Sequence, residues 1–142
     1  MSNVTKTFNI NNLTCTLGAF QISGFYDDIV AIKYDEPAIT SKQGCDGEVG
    51  RAINKKKLAT ATFQIIQTSS TNDLLCTNFI SMRETGLTLP FILKDGSGNT
   101  LIESSNAWIE DMAEISLGGE IKAKEWVVKL ANANIINGGN NS

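Results

Sequence analysis

Apolar and polar residues alternate at Leu13-Thr14-Cys15-Thr16-Leu17, the period of a strand with one buried face. The phase then slips, because Ala19, Phe20 and Ile22 do not continue that face, which predicts a bulge or bend near Gly18. A second strand is expected over 29–34 (IVAIKY), stopped by Asp35-Glu36-Pro37. The clearest alternation lies over 58–67: Ala59, Ala61, Phe63 and Ile65 share one face, and Thr60, Thr62 and Gln64 share the other.

The period changes after residue 68. Ser69 to Asp73 are N-cap residue types, and Ser70 with Asp73 has capping-box spacing. Leu75, Cys76, Phe79, Ile80 and Met82 then recur at helical spacing, and Gly86 supplies a stop, so a helix is predicted over 71–85 with one apolar stripe. Strand periods resume at Leu89, Phe91 and Leu93, followed by the turn cluster 95–99. The stretch 100–117 reads as one long strand or two, with Ala107, Ile109, Ala113 and Ile115 on one side. Gly118-Gly119 predicts a turn, and 121–131 a last strand. There Ile121 and Ala123 are out of phase with Trp126, Val128 and Leu130, which predicts a bulge or a strand serving two surfaces. The tail 137–142 (NGGNNS) is expected to be flexible by composition.

Residues 38–57 (AITSKQGCDGEVGRAINKKK) form the longest polar segment. Asp46-Gly47 is a hairpin-turn pair, so this segment is expected to be a long projecting hairpin loop. It carries Lys42, Arg51, Lys55, Lys56 and Lys57 against Asp46 and Glu48, a local charge of +3 on a chain of net charge −3. A solvated charged loop and a basic arm docking on an acidic neighbour both fit. No aromatic residue interleaves with these cations, which disfavours nucleic-acid binding. The polar, Gly-containing make-up of 41–57 predicts disorder in an isolated subunit.

Charge and chemistry narrow the function further. The 142 residues are 42% hydrophobic and only 19% charged, which suits a single domain with Asn, Ser and Thr covering much of its surface. There is no histidine, so Ser-His, Cys-His and His-metal chemistry are excluded. Cys15, Cys45 and Cys76 are unevenly spaced and odd in number, which fits free thiols in a reducing compartment, with Cys45 the one placed for a crosslink between subunits. Gly96-Ser97-Gly98 and Gly44-Cys45-Asp46-Gly47 match no phosphate-binding fingerprint and read as turns. The acidic pairs Asp27-Asp28, Asp35-Glu36 and Glu110-Asp111 are adjacent, so each points its carboxylates to opposite faces of a strand. Asp27, Asp28 and Asp46 lack EF-hand spacing. Trp108 and Trp126 read as core or subunit-contact anchors. No catalytic, cofactor or metal site is expected. No stretch approaches the roughly 20 apolar residues of a membrane-spanning helix, and 1–8 lack the apolar region of an export signal.

The order strands, long hairpin loop, strand, helix, hairpin, long strands resembles the tail tube proteins of contractile-tailed bacteriophages. Gly44-Cys45-Asp46-Gly47-Glu48 resembles the G-x-D-G-E turn of one such family. Leu58 to Asn72 (LATATFQIIQTSSTN) resembles its passage from a small-residue strand into the helix, and Gly118-Gly119 through Trp126 its double glycine and closing strand. Cys45 and the run Lys55-Lys56-Lys57 depart from that pattern.

The resemblance implies a mainly β domain over 1–142, similar in fold to type VI secretion tube proteins: an antiparallel sandwich or barrel flanked by one helix. It implies a structural virion protein without catalysis. Six subunits would close into a ring, and rings would stack into the hollow tube of a phage tail, assembled in the host cytoplasm. The partners implied are further copies, the sheath, the tape measure protein, the baseplate and terminator proteins, and DNA in transit. Lys42, Asp46, Gly47, Glu48, Arg51, Lys55, Lys56 and Lys57 become candidates for the ring-stacking loop. Thr60, Thr62, Gln64, Glu110 and Glu114 become candidates for a polar lumen face, where net negative charge would repel passing DNA. The alternatives are a tube-terminating or baseplate protein of the same fold, or a ligand-binding β-sandwich.

Overall fold

The computed structural model describes residues 13–96 and 98–139; the side chains of residues 27–29, and with them the candidate cation ligands Asp27 and Asp28, lie outside the description. In chain order the elements are β1 (Leu13–Leu17), β2 (Phe20–Gln21), β3 (Phe25–Tyr34), β4 (Ile39–Gln43), β5 (Val49–Ile53), β6 (Ala59–Ile66), α1 (Thr71–Thr85), β7 (Leu89–Asp95), β8 (Thr100–Asp111), β9 (Ala123–Ala131) and β10 (Asn134–Asn137). The protein is mainly β with a single helix among the described residues, as its periodicities predict.

One antiparallel sheet runs in the order β2-β1-β7-β8-β9-β6-β3, with β10 also paired to β8; β4 and β5 form a separate two-stranded sheet. The large sheet is curled. In a flat sheet β7 and β6 would lie at least about 14 Å apart, three strand spacings. Yet the rings of Phe91 on β7 and Phe63 on β6 approach to 5.9 Å between centroids, and Phe63 stacks on Phe25 of β3 at 6.4 Å. The sheet therefore folds into a half-barrel around its own apolar face. Ala59, Ala61, Phe63 and Ile65 of β6 point into that core, and every second residue of β6 faces out, the expected two-faced strand.

The helix packs against this core. Leu75 and Met82 are buried, Cys76 and Phe79 are half-buried, and Ile80, at the edge of the expected stripe, is exposed. Two side-chain contacts fix it. The Ile109 backbone N–H of β8 donates to Met82 Sδ at 3.2 Å, and the buried Trp126 indole N–H of β9 donates to Asn72 Oδ1 at 3.0 Å. The helix ends as expected, with Gly86 left-handed (φ 73°) and its N–H on the Met82 carbonyl. Its start differs from the predicted capping box. Ser70 is already in helical conformation with no side-chain cap. Ser69 Oγ instead accepts from the Thr71 N–H, and the Asn72 amide donates to the Ile66 and Ser69 carbonyls at 3.0 and 3.1 Å. The Asn72 and Asp73 N–H groups already reach the Ser69 and Ser70 carbonyls at 3.2 and 3.0 Å, so neither needs the Ser70 hydroxyl.

The structure adds detail at four other places, one of them a correction. The slip at Gly18 is a tight hairpin turn, with Leu17 paired to Phe20 and Gly18 at φ 62°. The strand expected over 100–117 ends at Asp111; Glu114 lies in the connection beyond it, and Ile115 and Leu117 are exposed there. The last strand holds unbroken register with β6 from Ala123 to Leu130, so it serves two surfaces and Ile121 lies outside it. β10 continues β9 along β8 in one register after an interruption at Asn132 (φ 49°), Asn137 pairs with Thr100, and the Asn99 N–H donates to the Gly139 carbonyl. Residues 140–142 lie outside the description.

Candidate assembly surfaces

The basic segment is a projecting hairpin. Five residue pairs, from Ile39↔Ile53 to Gln43↔Val49, join β4 to β5, and every residue of both strands is exposed. The turn is built as its residues predict. Gly47 is left-handed (φ 90°), the Gly44 N–H donates to the Glu48 carbonyl, and Asp46 Oδ1 accepts from the Glu48 N–H. The structure thus pairs residues that composition alone marks as disordered. The hairpin is anchored at its base, where the Asn54 N–H meets the Ala38 carbonyl and the Asn54 amide meets Glu36. Lys42 and Arg51 lie on the hairpin strands, while Lys55, Lys56 and Lys57 sit exposed on the return to β6. A two-stranded hairpin without a packed face is marginal in water. Ile39, Val49 and Ile53, each more than half exposed on it, are apolar surface left without cover in the single chain.

The second surface is the outer face of the half-barrel. Thr60, Thr62 and Gln64 share it, in register with Lys129, Val127 and Glu125 of β9. One row crosses four strands: Lys33, Thr60, Lys129 and Trp108. Lys129 Nζ donates to Asp35 Oδ2 and to Thr60 Oγ1, both at 2.8 Å, and the Thr60 hydroxyl donates to the other Asp35 oxygen. The hydrogen bond from Lys129, then that from Thr60, holds the Asp35 carboxyl below its ordinary value. Glu110 sits in a register shift of β8 and accepts from the Trp108 indole N–H at 2.6 Å. So the three β6 candidates and Glu110 belong to the sheet, whereas Glu114 is separated from them by the end of β8. The face carries charges of both signs, Lys33 and Lys129 against Asp35, Glu110 and Glu125, so the expected acidic bias is weak on it.

The Asp35–Lys129 pair has a pH signature. A carboxyl whose value is lowered on folding contributes stability above its unfolded value, and that contribution is lost as pH falls through the folded value. Asp35→Asn is therefore expected to lower stability at neutral pH by about 1 kcal/mol or less, since both partners are partly solvated. Its stability should also fall less steeply on acidification below pH 4. Urea denaturation of both proteins across pH 2.5–7 measures this; parallel profiles would remove Asp35 from the account.

All three cysteines are free thiols: Cys15 is buried, Cys76 half-buried and Cys45 exposed at the hairpin tip. Burial pushes the Cys15 thiol up to about 12. A maleimide at neutral pH is expected to modify Cys45 within minutes and Cys15 only on unfolding. Peptide mass mapping of the labelled native protein checks the order. Among the described residues no group of three or more His, Cys, Asp or Glu side chains is placed to hold a metal, and no helix is long and apolar enough to cross a membrane. One cavity of about 370 Å³, lined by Phe79, Met82, Arg83, Leu87 and Trp108 among others, lies between the helix end and β8.

The fold of this chain is shared with solved chains of contractile injection systems. The solved structures that share it include the tube-terminating cap of the anti-feeding prophage (TM-score 0.59, 11% identity, 96% of this chain and 95% of that one). A chain of the sheath–tube complex of the extracellular contractile injection system PVC, in its extended state, matches with TM-score 0.62 and 12% identity over 92% and 91%. The PVC sheath/tube terminator matches with TM-score 0.57 and 11% identity over 95% and 100%. In sequence, the chain is 27% identical over 153 aligned residues to structural protein ORF10 of Pseudomonas phage KPP10, covering 99% of this chain and 87% of that protein. No protein-family model matches.

Proposed function

We propose that this chain is a structural subunit of a contractile phage tail, without catalytic activity, whose rings of six stack into the hollow inner tube. The observation that carries the reading is end-to-end similarity to a phage structural protein in a chain with the tube-type fold. The sheath surrounds the tube, the tape measure protein and then DNA pass through it, and baseplate and terminator proteins close its ends. The place of action is the virion tail, after assembly in the host cytoplasm. The hairpin, with Lys42, Asp46, Gly47, Glu48, Arg51 and Lys55 to Lys57, contacts the neighbouring ring. Thr60, Thr62 and Gln64, with Glu110, line the lumen as a polar wall; Glu114, off the strand, is the weaker member of that set. Ring closure would also give a partner to β2 and β3, which end the sheet among the described residues.

A second reading is a tube terminator or cap, favoured by the terminators and caps among the structural neighbours. Negative-stain electron microscopy of the concentrated protein, beside light scattering of the dilute protein, separates the two. Hollow tubes of uniform diameter are expected. Single rings that never stack would favour the terminator, and a strict monomer at every concentration would count against both.

A further inference from the structure

The connection between β8 and β9 presents an unusual surface. From Met112 to Lys122 it holds Glu114 and Glu120 against Lys122, and Asp111 at the end of β8 adjoins them, a local charge of −2. Ala113 turns into the core, but the larger aliphatics face solvent, with Ile115 72% and Leu117 74% exposed and Ile121 more than half exposed. Yet the segment is anchored: the Lys122 N–H donates to Gln67 Oε1, the Gln67 N–H donates to the Lys122 carbonyl, and Lys122 Nζ donates to Ser116 Oγ. Exposed aliphatic side chains on a tethered, acidic segment are what a docking surface presents.

The hairpin is its complement in both respects. It carries +3 from residue 42 to 57 and its own exposed aliphatics, Ile39, Val49 and Ile53. The two surfaces stand at opposite ends of the same sheet. The hairpin rises where Ala59 pairs with Tyr34 and Leu130, at the start of β6. The acidic segment joins where Ile66 pairs with Ala123, at its end. The length of β6, from Ala59 to Ile66, places them about 23 Å apart along the strand direction. Surfaces at opposite ends of one body meet between copies and not within one. A contact of that kind is head-to-tail and repeats without closing on itself.

We propose that the acidic, aliphatic connection at residues 111–122 is the receptor for the basic hairpin of a second copy of this chain in the next ring. This rests on the tube reading and names the surface that the hairpin meets. Ion pairs set its orientation and on-rate, while Ile115 and Leu117 against Ile39, Val49 and Ile53 supply the buried apolar area.

Charge exchange tests it. Glu114 and Glu120 are exposed and outside the strands, so Glu114→Lys with Glu120→Lys leaves the folded subunit intact, as circular dichroism verifies. Tube formation is followed by sedimentation and electron microscopy at low salt. The double variant is expected to raise the critical concentration for stacking about tenfold. Lys55→Glu with Lys56→Glu should do the same, and the quadruple variant should regain most of the loss because the pairing is restored with signs exchanged. If the hairpin variant weakens stacking while Glu114→Lys/Glu120→Lys assembles as the unaltered chain does, the hairpin docks elsewhere and only the receptor is overturned. Reduced stacking in both variants without recovery in the quadruple one also overturns it. If the unaltered chain forms no rings or tubes, the tube reading falls and this inference with it.

Discussion

Replacing Phe63 by alanine is expected to destabilise the folded chain by about 3–5 kcal/mol. Phe63 is fully buried, and its ring touches Phe25 and Phe91 on strands that are not its sequence neighbours. It lies on the line along which the half-barrel meets itself. Removing the ring costs the transfer of its apolar surface and leaves a cavity that the curled backbone cannot close without moving β7 against β6. Phe63→Leu, which refills most of the volume, should cost less than half as much. Urea denaturation followed by tryptophan fluorescence reads both, because Trp126 is buried in the same core and pairs with Phe63 across β6 and β9. A loss below 1 kcal/mol for the alanine variant would mean that the sheet does not close through this ring.

The hairpin should behave in the opposite way. Replacing residues 40–52 by a two-residue Asn-Gly turn is expected to leave the stability of the subunit within about 0.5 kcal/mol, the range of surface changes away from packed features. Every residue of β4 and β5 is exposed, and the hydrogen bonds at the base involve Glu36, Ala38 and Asn54, which remain. The same variant should fail to form tubes at any concentration at which the complete chain forms them. Stability is read by thermal unfolding and assembly by electron microscopy. Tubes of normal length from the shortened chain would remove the hairpin from the assembly contact. The pair of variants separates two roles in one molecule: Phe63 holds the subunit and leaves assembly to follow from it, while the hairpin serves assembly and contributes little to the subunit.

Much of this architecture is written in local patterns. The strict alternation of β6 and the helical stripe from Leu75 to Met82 place both elements within a residue of their positions, because each has one face in the core and one out. Asp46-Gly47 announces its turn because glycine alone takes φ near 90° without strain. The misreadings share a cause. The alternation of Ala113, Ile115 and Leu117 has the period of a strand, but period says nothing of whether an edge is there to pair with, and β8 stops at Asp111. Residues 134–137 (NIIN) do not alternate as a strand and drew no expectation, yet β10 forms because β8 extends past β9 and offers it the rest of that edge. Ser70 has the right spacing for a cap, but the side chain that accepts from the start of the helix is Ser69, from the Thr71 N–H.

The assembly surfaces divide along the same line. Sequence by itself determined the mainly β class, the helix, the basic hairpin and its turn, and the exclusion of histidine chemistry, since each depends on residue type and spacing within a short window. Only the tertiary structure decided that the sheet curls until Phe63 meets Phe91, and that Glu114 stands apart from Thr60, Thr62 and Gln64. It alone put the basic hairpin and the acidic connection at opposite ends of β6. Those are relations between segments distant along the chain, and they are set by which strands pair and in what register, a choice made by the burial of the whole apolar face at once.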